Sequence, residues 1–154
     1  TTIADPLTLP CGVRLKNRLV KAAMTEGLAD AQNRATARHA TLYSRWAKGG
    51  AGLLITGNIQ VDRRYLERPA NVAIEGEQTP EAMRALEAFA AASTSNGAEI
   101  MAQLSHAGRQ TPVYVTKTPV APSAVAIDLP GGQFGAPRAL TGDEIADVIA
   151  RFVH

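Results

Sequence analysis

The sequence G-L-L-I-T at residues 52–56 decides the fold class. A short, uncharged run rich in branched aliphatic side chains is typical of a strand that is buried on both faces. Strands of that kind occur mainly in parallel sheets, because helices cover both sides of such a sheet. The run therefore predicts one strand of a parallel α/β sheet.

A strand and a helix precede this run. Residues 19–23 are predicted to form the first strand of the sheet. Thr36 opens a helix in which apolar side chains recur at helical spacing, and the pair Gly49 and Gly50 ends it. We expect His39, within this helix, to be exposed.

A second helix and a third strand follow. Thr79 is the predicted N-cap of the helix, Pro80 occupies its first position, and Gly97 lies past its end. Residues 99–104 (E-I-M-A-Q-L) are predicted to form a buried strand. Strands that alternate with helices in this order predict a parallel sheet whose carboxyl ends share one rim.

Polar and small residues follow each predicted strand. The run Q-L-S-H-A-G-R at residues 103–109 is the richest of them, and taken alone it suggests an acid–base site centred on His106. Because the carboxyl ends of the strands lie on one rim, three pairs of residues are expected to converge there. These pairs are Met24 and Thr25, Gly57 and Asn58, and Gln103 and His106.

The segments outside this alternation have distinct signatures. Residues 7–15 predict a small hairpin, because turn-forming residues separate two apolar pairs. Residues 105–140 predict a long loop rich in Pro and Gly. Thr141 and Glu144 form a predicted capping box ahead of an amphipathic helix over residues 141–154, and we expect the chain to stop within that helix.

Composition argues against several classes of protein. The chain has 154 residues, is 45% hydrophobic and 19% charged, and carries a net charge of +2, as expected for an ordinary globular domain. No apolar run approaches the roughly 20 residues that span a bilayer, and no signal peptide is evident. A single Cys favours a reducing cytoplasm, and no basic stripe indicates nucleic-acid binding.

Four blocks of this sequence resemble the Old Yellow Enzyme family of FMN-dependent oxidoreductases. They occur in order and with suitable spacing between about residue 7 and residue 152. They are K-N-R-L-V with A-A-M-T at residues 16–25, G-G-A-G-L-L-I-T-G at residues 49–57, Q-L-S-H-A-G-R at residues 103–109, and P-R-A-L-T at residues 137–141, before Glu144 and Ile145.

The resemblance implies the architecture of the chain. The family has a (β/α)8 TIM barrel more than twice this length, with an N-terminal hairpin that closes the bottom of the barrel. This α/β chain would then be the N-terminal portion of such a barrel. It would supply the hairpin over residues 7–15, the first three strands and two helices over residues 19–104, and the start of the third barrel helix.

The resemblance also implies five residues at the FMN site. Ala23 and Met24 match positions that approach the flavin closely, largely through backbone. Thr25 matches the position beside the O4 edge, and Gly57 a strand end where a missing side chain leaves room for the ring. Gln103 suits the N3 and O2 side of the ring, because an amide offers both a donor and an acceptor.

Other members of the family differ from this chain near Thr25. A Cys at that position bonds covalently to the flavin in one branch, so Thr25 implies FMN held non-covalently. Glu26 and Gly27 depart from relatives that carry a Tyr near this point to shape the substrate pocket. We expect His106 and Arg109 to shape the third loop, and the catalytic residues to lie beyond residue 154.

The implied activity is reduction of an activated C=C bond, such as that of an α,β-unsaturated carbonyl, with NADH or NADPH as reductant. A homo-oligomer is possible under this hypothesis, and no metal is expected. Two alternatives stay open. One is a non-catalytic half-barrel, and the other is a flavin-free barrel lyase or aldolase, which the lack of a Lys at a strand end and of a metal-ligand cluster makes less attractive.

Overall fold

The computed structural model describes residues 1–153 and begins with an antiparallel hairpin. Its two strands are β1 (Leu7–Thr8) and β2 (Arg14–Leu15). Leu15 is only 2% exposed, so the hairpin is anchored to the rest of the chain by its second strand.

A three-stranded parallel sheet forms the centre of the molecule. The strands are β3 (Val20–Lys21), β4 (Leu53–Gln60) and β5 (Glu99–Ser105), and β4 lies between the other two. All carboxyl ends therefore lie on one rim, as predicted from the alternation of strands and helices.

Strand β4 is longer than the five residues predicted for it. It continues from Thr56 to Gln60, and its pairing with β5 shifts between Ile55 and Asn58. The apolar pattern ends at Thr56, but β4 resumes its hydrogen bonds to β5 after a bulge of one extra residue, so the register is shifted by one beyond it. Gly57 consequently lies inside the strand and not at its end.

Two helices cover one face of the sheet. They are α1 (Ala37–Lys48) and α2 (Pro80–Thr94). The rings of Tyr43 and Phe89 meet edge to face with centroids 4.6 Å apart. These two side chains lie in a buried core that also contains Leu54 and Ile59 of β4.

The expectation that His39 is exposed is wrong. The side chain is 1% exposed and lies 5.3 Å from the ring of Phe89. Its Nδ1 accepts a hydrogen bond from the backbone N–H of Thr36 at 3.0 Å, so this histidine completes a capping box where a glutamate is more usual. His39 lies four residues before Tyr43 and so shares the buried side of α1 with it. The polarity of the imidazole led to the prediction that it is exposed.

The expectation that β5 is buried is also wrong. Most of its residues are exposed, including Met101 at 51% and Leu104 at 43%. Within residues 1–153, β5 pairs with β4 alone and is an edge strand. Ile100 packs against the helix-side core, so Met101 and Gln103 project from the opposite, open face of the sheet.

The last third of the chain holds two further strands and a helix. Strands β6 (Val120–Ala121) and β7 (Arg138–Ala139) pair in parallel within the long loop. Helix α3 (Gly142–Val153) follows, and Thr141 and Glu144 exchange the reciprocal capping-box hydrogen bonds at 2.8 and 3.2 Å. Its apolar side is open, with Ile149 61% exposed.

Candidate functional site

A chain of hydrogen bonds joins the carboxyl ends of the three parallel strands. The Gln103 side-chain amide donates to Asn58 Oδ1 at 2.6 Å, and the Asn58 amide donates to Glu67 Oε2 at 2.7 Å. The Thr25 hydroxyl donates to the same Glu67 oxygen at 2.8 Å. The predicted convergence of Thr25, Asn58 and Gln103 is therefore confirmed, and a glutamate from the loop after β4 holds them together.

Gln103 presents an unused edge of its amide to the open face of the sheet. Its backbone N–H donates to Thr56 Oγ1 at 2.9 Å, which fixes the main chain, while its side chain is exposed. One amide hydrogen is given to Asn58, so the carbonyl oxygen and the second N–H stay available. A ligand that offers one donor and one acceptor side by side would match this edge.

Thr25 offers a different set of interactions. Its hydroxyl has a single hydrogen, which it gives to Glu67. The oxygen also accepts the Asn58 backbone N–H at 3.4 Å. Toward a ligand, the hydroxyl therefore has a lone pair to present and no hydrogen to donate.

Gly57 is required by the packing of the protein itself. A Cβ atom at this position would lie 2.5 Å from the Met24 carbonyl oxygen and 2.7 Å from the Thr25 Cα. The segment after β3 crosses β4 so closely that only a glycine fits at this position. The predicted contact of Gly57 with a flavin ring stays a prediction.

Replacing Gly57 with alanine is expected to destabilise the protein by about 1–3 kcal/mol, because the new methyl group overlaps backbone atoms that cannot move independently. Thermal or urea unfolding measures the loss. Gly142→Ala is the matched control, because nothing lies within 4 Å of its Cβ position. Equal stability of Gly57→Ala and the parent would contradict the close crossing.

Met24 and Ala23 lie beside this crossing at the start of the rim. Met24 is 51% exposed, so its side chain is available to an apolar surface, and Ala23 is half-buried. The structure therefore brings four of the five predicted site residues, namely Met24, Thr25, Gly57 and Gln103, into one connected region, and Ala23 adjoins it.

Glu26 is held inside the protein by Tyr43. The Tyr43 hydroxyl donates to Glu26 Oε1 and accepts the Gly57 backbone N–H at 3.0 Å. Burial, together with the interaction with Glu26, raises the pKa of Tyr43, so the phenol keeps its hydrogen. Through Tyr43, Glu26 thus stabilises the crossing at Gly57.

Lys21 lies beside the same helix. Its Nζ atom is 4.3 Å from the centroid of the Trp46 ring, and burial lowers the pKa of its ammonium group.

The His106 side chain is held within the loop after β5. Its Nδ1 accepts the Gly108 backbone N–H at 3.1 Å, and its Nε2 lies 3.7 Å from Asp62 Oδ2. The side chain is 9% exposed. Arg109 points away and donates to the Val125 carbonyl at 3.1 Å. Both residues shape the loop after β5, as expected.

Asp62, in the loop after β4, connects this loop to the loop after β5 and to helix α3. Its side chain is fully buried, and it accepts hydrogen bonds from Arg64 Nη2 at 2.7 Å and Nε at 3.1 Å. Arg151 Nε of α3 lies 3.8 Å away. Burial alone would raise the pKa of Asp62, but the interactions with His106 and Arg64 outweigh it and hold the pKa well below its usual range.

A pocket of about 520 Å³ borders the hydrogen-bonded chain, within the range usual for small-molecule sites. Asn58 and Glu67 line it, together with Tyr114 and Phe134 from the long loop. Arg68, Gln110, Pro112 and Gln133 complete the lining. The pocket therefore places polar and aromatic groups next to the rim.

These residues fit the pyrimidine edge of a flavin. That edge carries alternating donors and acceptors, which the free carbonyl and N–H of Gln103 complement. Met24 supplies an exposed apolar side chain for the ring. The sequence did not single out Glu67 or Tyr43, because neither belongs to a strand end or to a recognisable motif.

Two other features are absent from residues 1–153. No group of three or more His, Cys, Asp or Glu side chains in this part of the chain could hold a metal ion. No helix among these residues is both long and apolar enough to cross a membrane.

Comparisons with known proteins give consistent matches. The sequence model that describes the NADH:flavin oxidoreductase / NADH oxidase family matches residues 3–154. The NADH-dependent flavin oxidoreductase iliE of Hypocrea jecorina is 36% identical over 97% of this chain and 41% of its own length. The NADH oxidase of Thermoanaerobacter brockii is 37% identical over 90% of this chain and 21% of its own.

Solved structures agree in fold. An old yellow enzyme homologue from Zymomonas mobilis superposes with a TM-score of 0.80 at 28% identity, over 99% of this chain and 43% of its own. A morphinone reductase in complex with tetrahydroNAD gives a TM-score of 0.78 at 23% identity, over 99% and 44%. The chain thus spans less than half of these relatives, and its predicted fold class, the N-terminal part of a TIM barrel, is confirmed.

Proposed function

Since this chain belongs to the NADH:flavin oxidoreductase / NADH oxidase family, we propose that it forms the N-terminal part of an FMN-dependent NAD(P)H oxidoreductase that reduces activated C=C bonds. One observation carries the proposal. The ends of three parallel strands are tied together by hydrogen bonds, and this arrangement leaves the outer edge of the Gln103 amide free.

We assign FMN binding to Ala23, Met24, Thr25, Gly57 and Gln103. Gln103 would pair with the N3 and O2 side of the ring through its free carbonyl and N–H. Met24 would cover part of the ring with its exposed side chain, while Ala23 and Gly57 would approach through backbone. Thr25 would lie beside the O4 edge, and without a cysteine thiol at this position the cofactor would be held non-covalently.

Bound FMN would supply hydride transfer, receiving hydride from NADH or NADPH and passing it from N5 to an α,β-unsaturated carbonyl. The residues of this chain would position the ring, and the pocket bordered by Tyr114 and Phe134 would admit the small molecule. The groups that clamp the carbonyl and donate the proton belong, in this proposal, to sequence beyond residue 154.

The location and the assembly of the protein belong to the same proposal. A cytoplasmic location is supported by the single cysteine of the sequence. A homo-oligomer is also part of the proposal, whereas the exposed apolar side chains of β5 and α3, such as Met101 and Ile149, would be covered by the rest of the barrel.

Half-reactions of the full-length enzyme that contains this chain test the proposed activity. Under anaerobic conditions, NADH or NADPH is expected to bleach the protein-bound flavin, and a cyclic enone is expected to restore its colour. Reduction by neither nucleotide would contradict the oxidoreductase assignment, and reduction without reoxidation by the enone would contradict the C=C substrate. Comparison of the two nucleotides identifies the reductant.

A further inference from the structure

Glu67 is the charged centre of the rim, and nothing in its sequence context indicates this role. We propose that Glu67 is a positioning residue that orients Thr25 and Asn58 and lowers the redox potential of the flavin through its negative charge. The inference rests on the proposed function, because it requires a flavin at this rim.

The contacts of Glu67 set the orientation of both neighbours. A single carboxylate oxygen, Oε2, accepts the Thr25 hydroxyl at 2.8 Å and the Asn58 amide at 2.7 Å. Asn58 must therefore turn its carbonyl oxygen toward Gln103, whose amide donates to it at 2.6 Å. Each hydrogen bond fixes the direction of the next, so Glu67 determines which edge of Gln103 is left free.

The carboxylate is ionised at neutral pH. Partial burial by itself would raise the pKa of Glu67, but the hydrogen bonds from Asn58, Thr25 and Arg68 outweigh it and lower the pKa. A carboxylate in this state has only acceptor capacity. Glu67 therefore carries its negative charge at neutral pH.

Two consequences for a flavin have the same sign. Reduction of a flavin adds electron density to the N1, C2 and C4 carbonyl region, and a nearby negative charge opposes that change. The Thr25 hydroxyl hydrogen is committed to Glu67, so it gives no hydrogen bond to the electron-rich O4 atom. Both effects disfavour the reduced flavin and lower the redox potential.

Arg68 only partly offsets this charge. Its Nη2 lies 2.9 Å from Glu67 Oε1, the oxygen that does not contact Thr25 or Asn58. The Arg68 side chain is 48% exposed, whereas that of Glu67 is 26% exposed. Solvent and salt screen the more exposed partner more strongly. A net negative field is therefore left around Glu67 Oε2, next to Thr25 and Asn58.

The redox potential of the bound flavin in Glu67→Gln tests the proposal. The variant keeps the size of the side chain and removes its charge. We expect the equilibrium constant for flavin reduction to rise about tenfold, which for a two-electron couple is a positive shift of about 30 mV. Dye-equilibrated reductive titration followed by absorbance measures it. Arg68→Gln removes the opposing charge, so we expect a shift of the opposite sign.

Glu99→Gln is the matched control. It makes the same chemical change on an exposed residue at the other end of β5, about 13 Å along the strand from Gln103 at ~3.3 Å per residue. Its flavin potential should equal that of the parent protein. Should Glu67→Gln fail to fold, Glu67→Ala, which introduces no new donor beside Asn58, carries the same expected sign.

The outcomes separate the two proposals. A parent protein that binds no flavin removes the proposed function and this inference with it. A parent that binds flavin, with unchanged potential in Glu67→Gln and Glu67→Ala, overturns the role of Glu67 alone. A positive shift in these variants, absent from Glu99→Gln, supports it, because a purely structural loss would lower flavin occupancy without a consistent direction of potential.

Discussion

Replacement of Gln103 with leucine in the full-length enzyme is expected to weaken FMN binding by about 10- to 100-fold, because the ring loses two hydrogen bonds that each contribute about 0.5–1.5 kcal/mol. Leucine has a similar volume but neither donor nor acceptor. The substitution also leaves Asn58 Oδ1 without the Gln103 amide that now donates to it at 2.6 Å. Fluorescence titration of the apoprotein with FMN measures the dissociation constant.

The same change elsewhere provides the control for this experiment. Gln32→Leu replaces an exposed glutamine in the loop before α1 and should leave the dissociation constant unchanged. A Gln103→Leu protein that binds FMN as tightly as the parent, with unaltered flavin potential, would remove Gln103 from the site.

Replacement of Asp62 with asparagine is expected to lower the free energy of unfolding by about 1–3 kcal/mol, because the buried carboxylate loses its charge-assisted hydrogen bonds to Arg64, whose own side chain is 59% exposed. The variant leaves His106 and Arg151 facing a neutral amide in a buried position. Asp62 joins the loop after β4, the loop after β5 and helix α3, so all three lose their common anchor. Urea unfolding at neutral pH measures the change.

An exposed carboxylate that contacts the same cations is the control for Asp62. Asp147 lies 2.8 Å from Arg151 and 3.6 Å from Arg64 but is 52% exposed. Asp147→Asn is expected to cost less than about 1 kcal/mol, as is usual for surface pairs. Equal costs for the two variants would contradict the role of burial at Asp62.

The pH dependence of this effect has a defined sign. The folded state lowers the pKa of Asp62, so its contribution to stability is complete above the unfolded-state value of about 3.9 and is lost as the pH falls below it. The difference in stability between the parent and Asp62→Asn should therefore be largest at neutral pH and shrink below about pH 4. Urea unfolding at neutral pH and near pH 3 makes this comparison.

Local patterns in the sequence predicted the elements of the fold well. Thr36 and Thr79 begin their helices as expected, and the apolar run that starts at Leu53 forms the central strand. Each of these signals depends on residues within a few positions of one another. The alternation of elements was then enough to predict that Thr25 and Gln103 converge.

The rest of the site depends on contacts between distant parts of the chain. Glu67 reaches Thr25 because the loop after β4 folds back over the rim, and no local pattern indicates that path. The close crossing at Gly57 and the burial of His39 have the same origin. Strand β5 is the opposite case, because its apolar residues are exposed although the sequence predicts that they are buried. An apolar run is buried only where neighbouring elements cover it.

The visible absorption spectrum of the protein as it elutes from size exclusion tests the flavin site most directly. We expect a compact species that carries a yellow chromophore, and denaturation should release that chromophore as FMN because it is held non-covalently. A colourless protein that takes up no added FMN would contradict the site and favour the non-catalytic half-barrel.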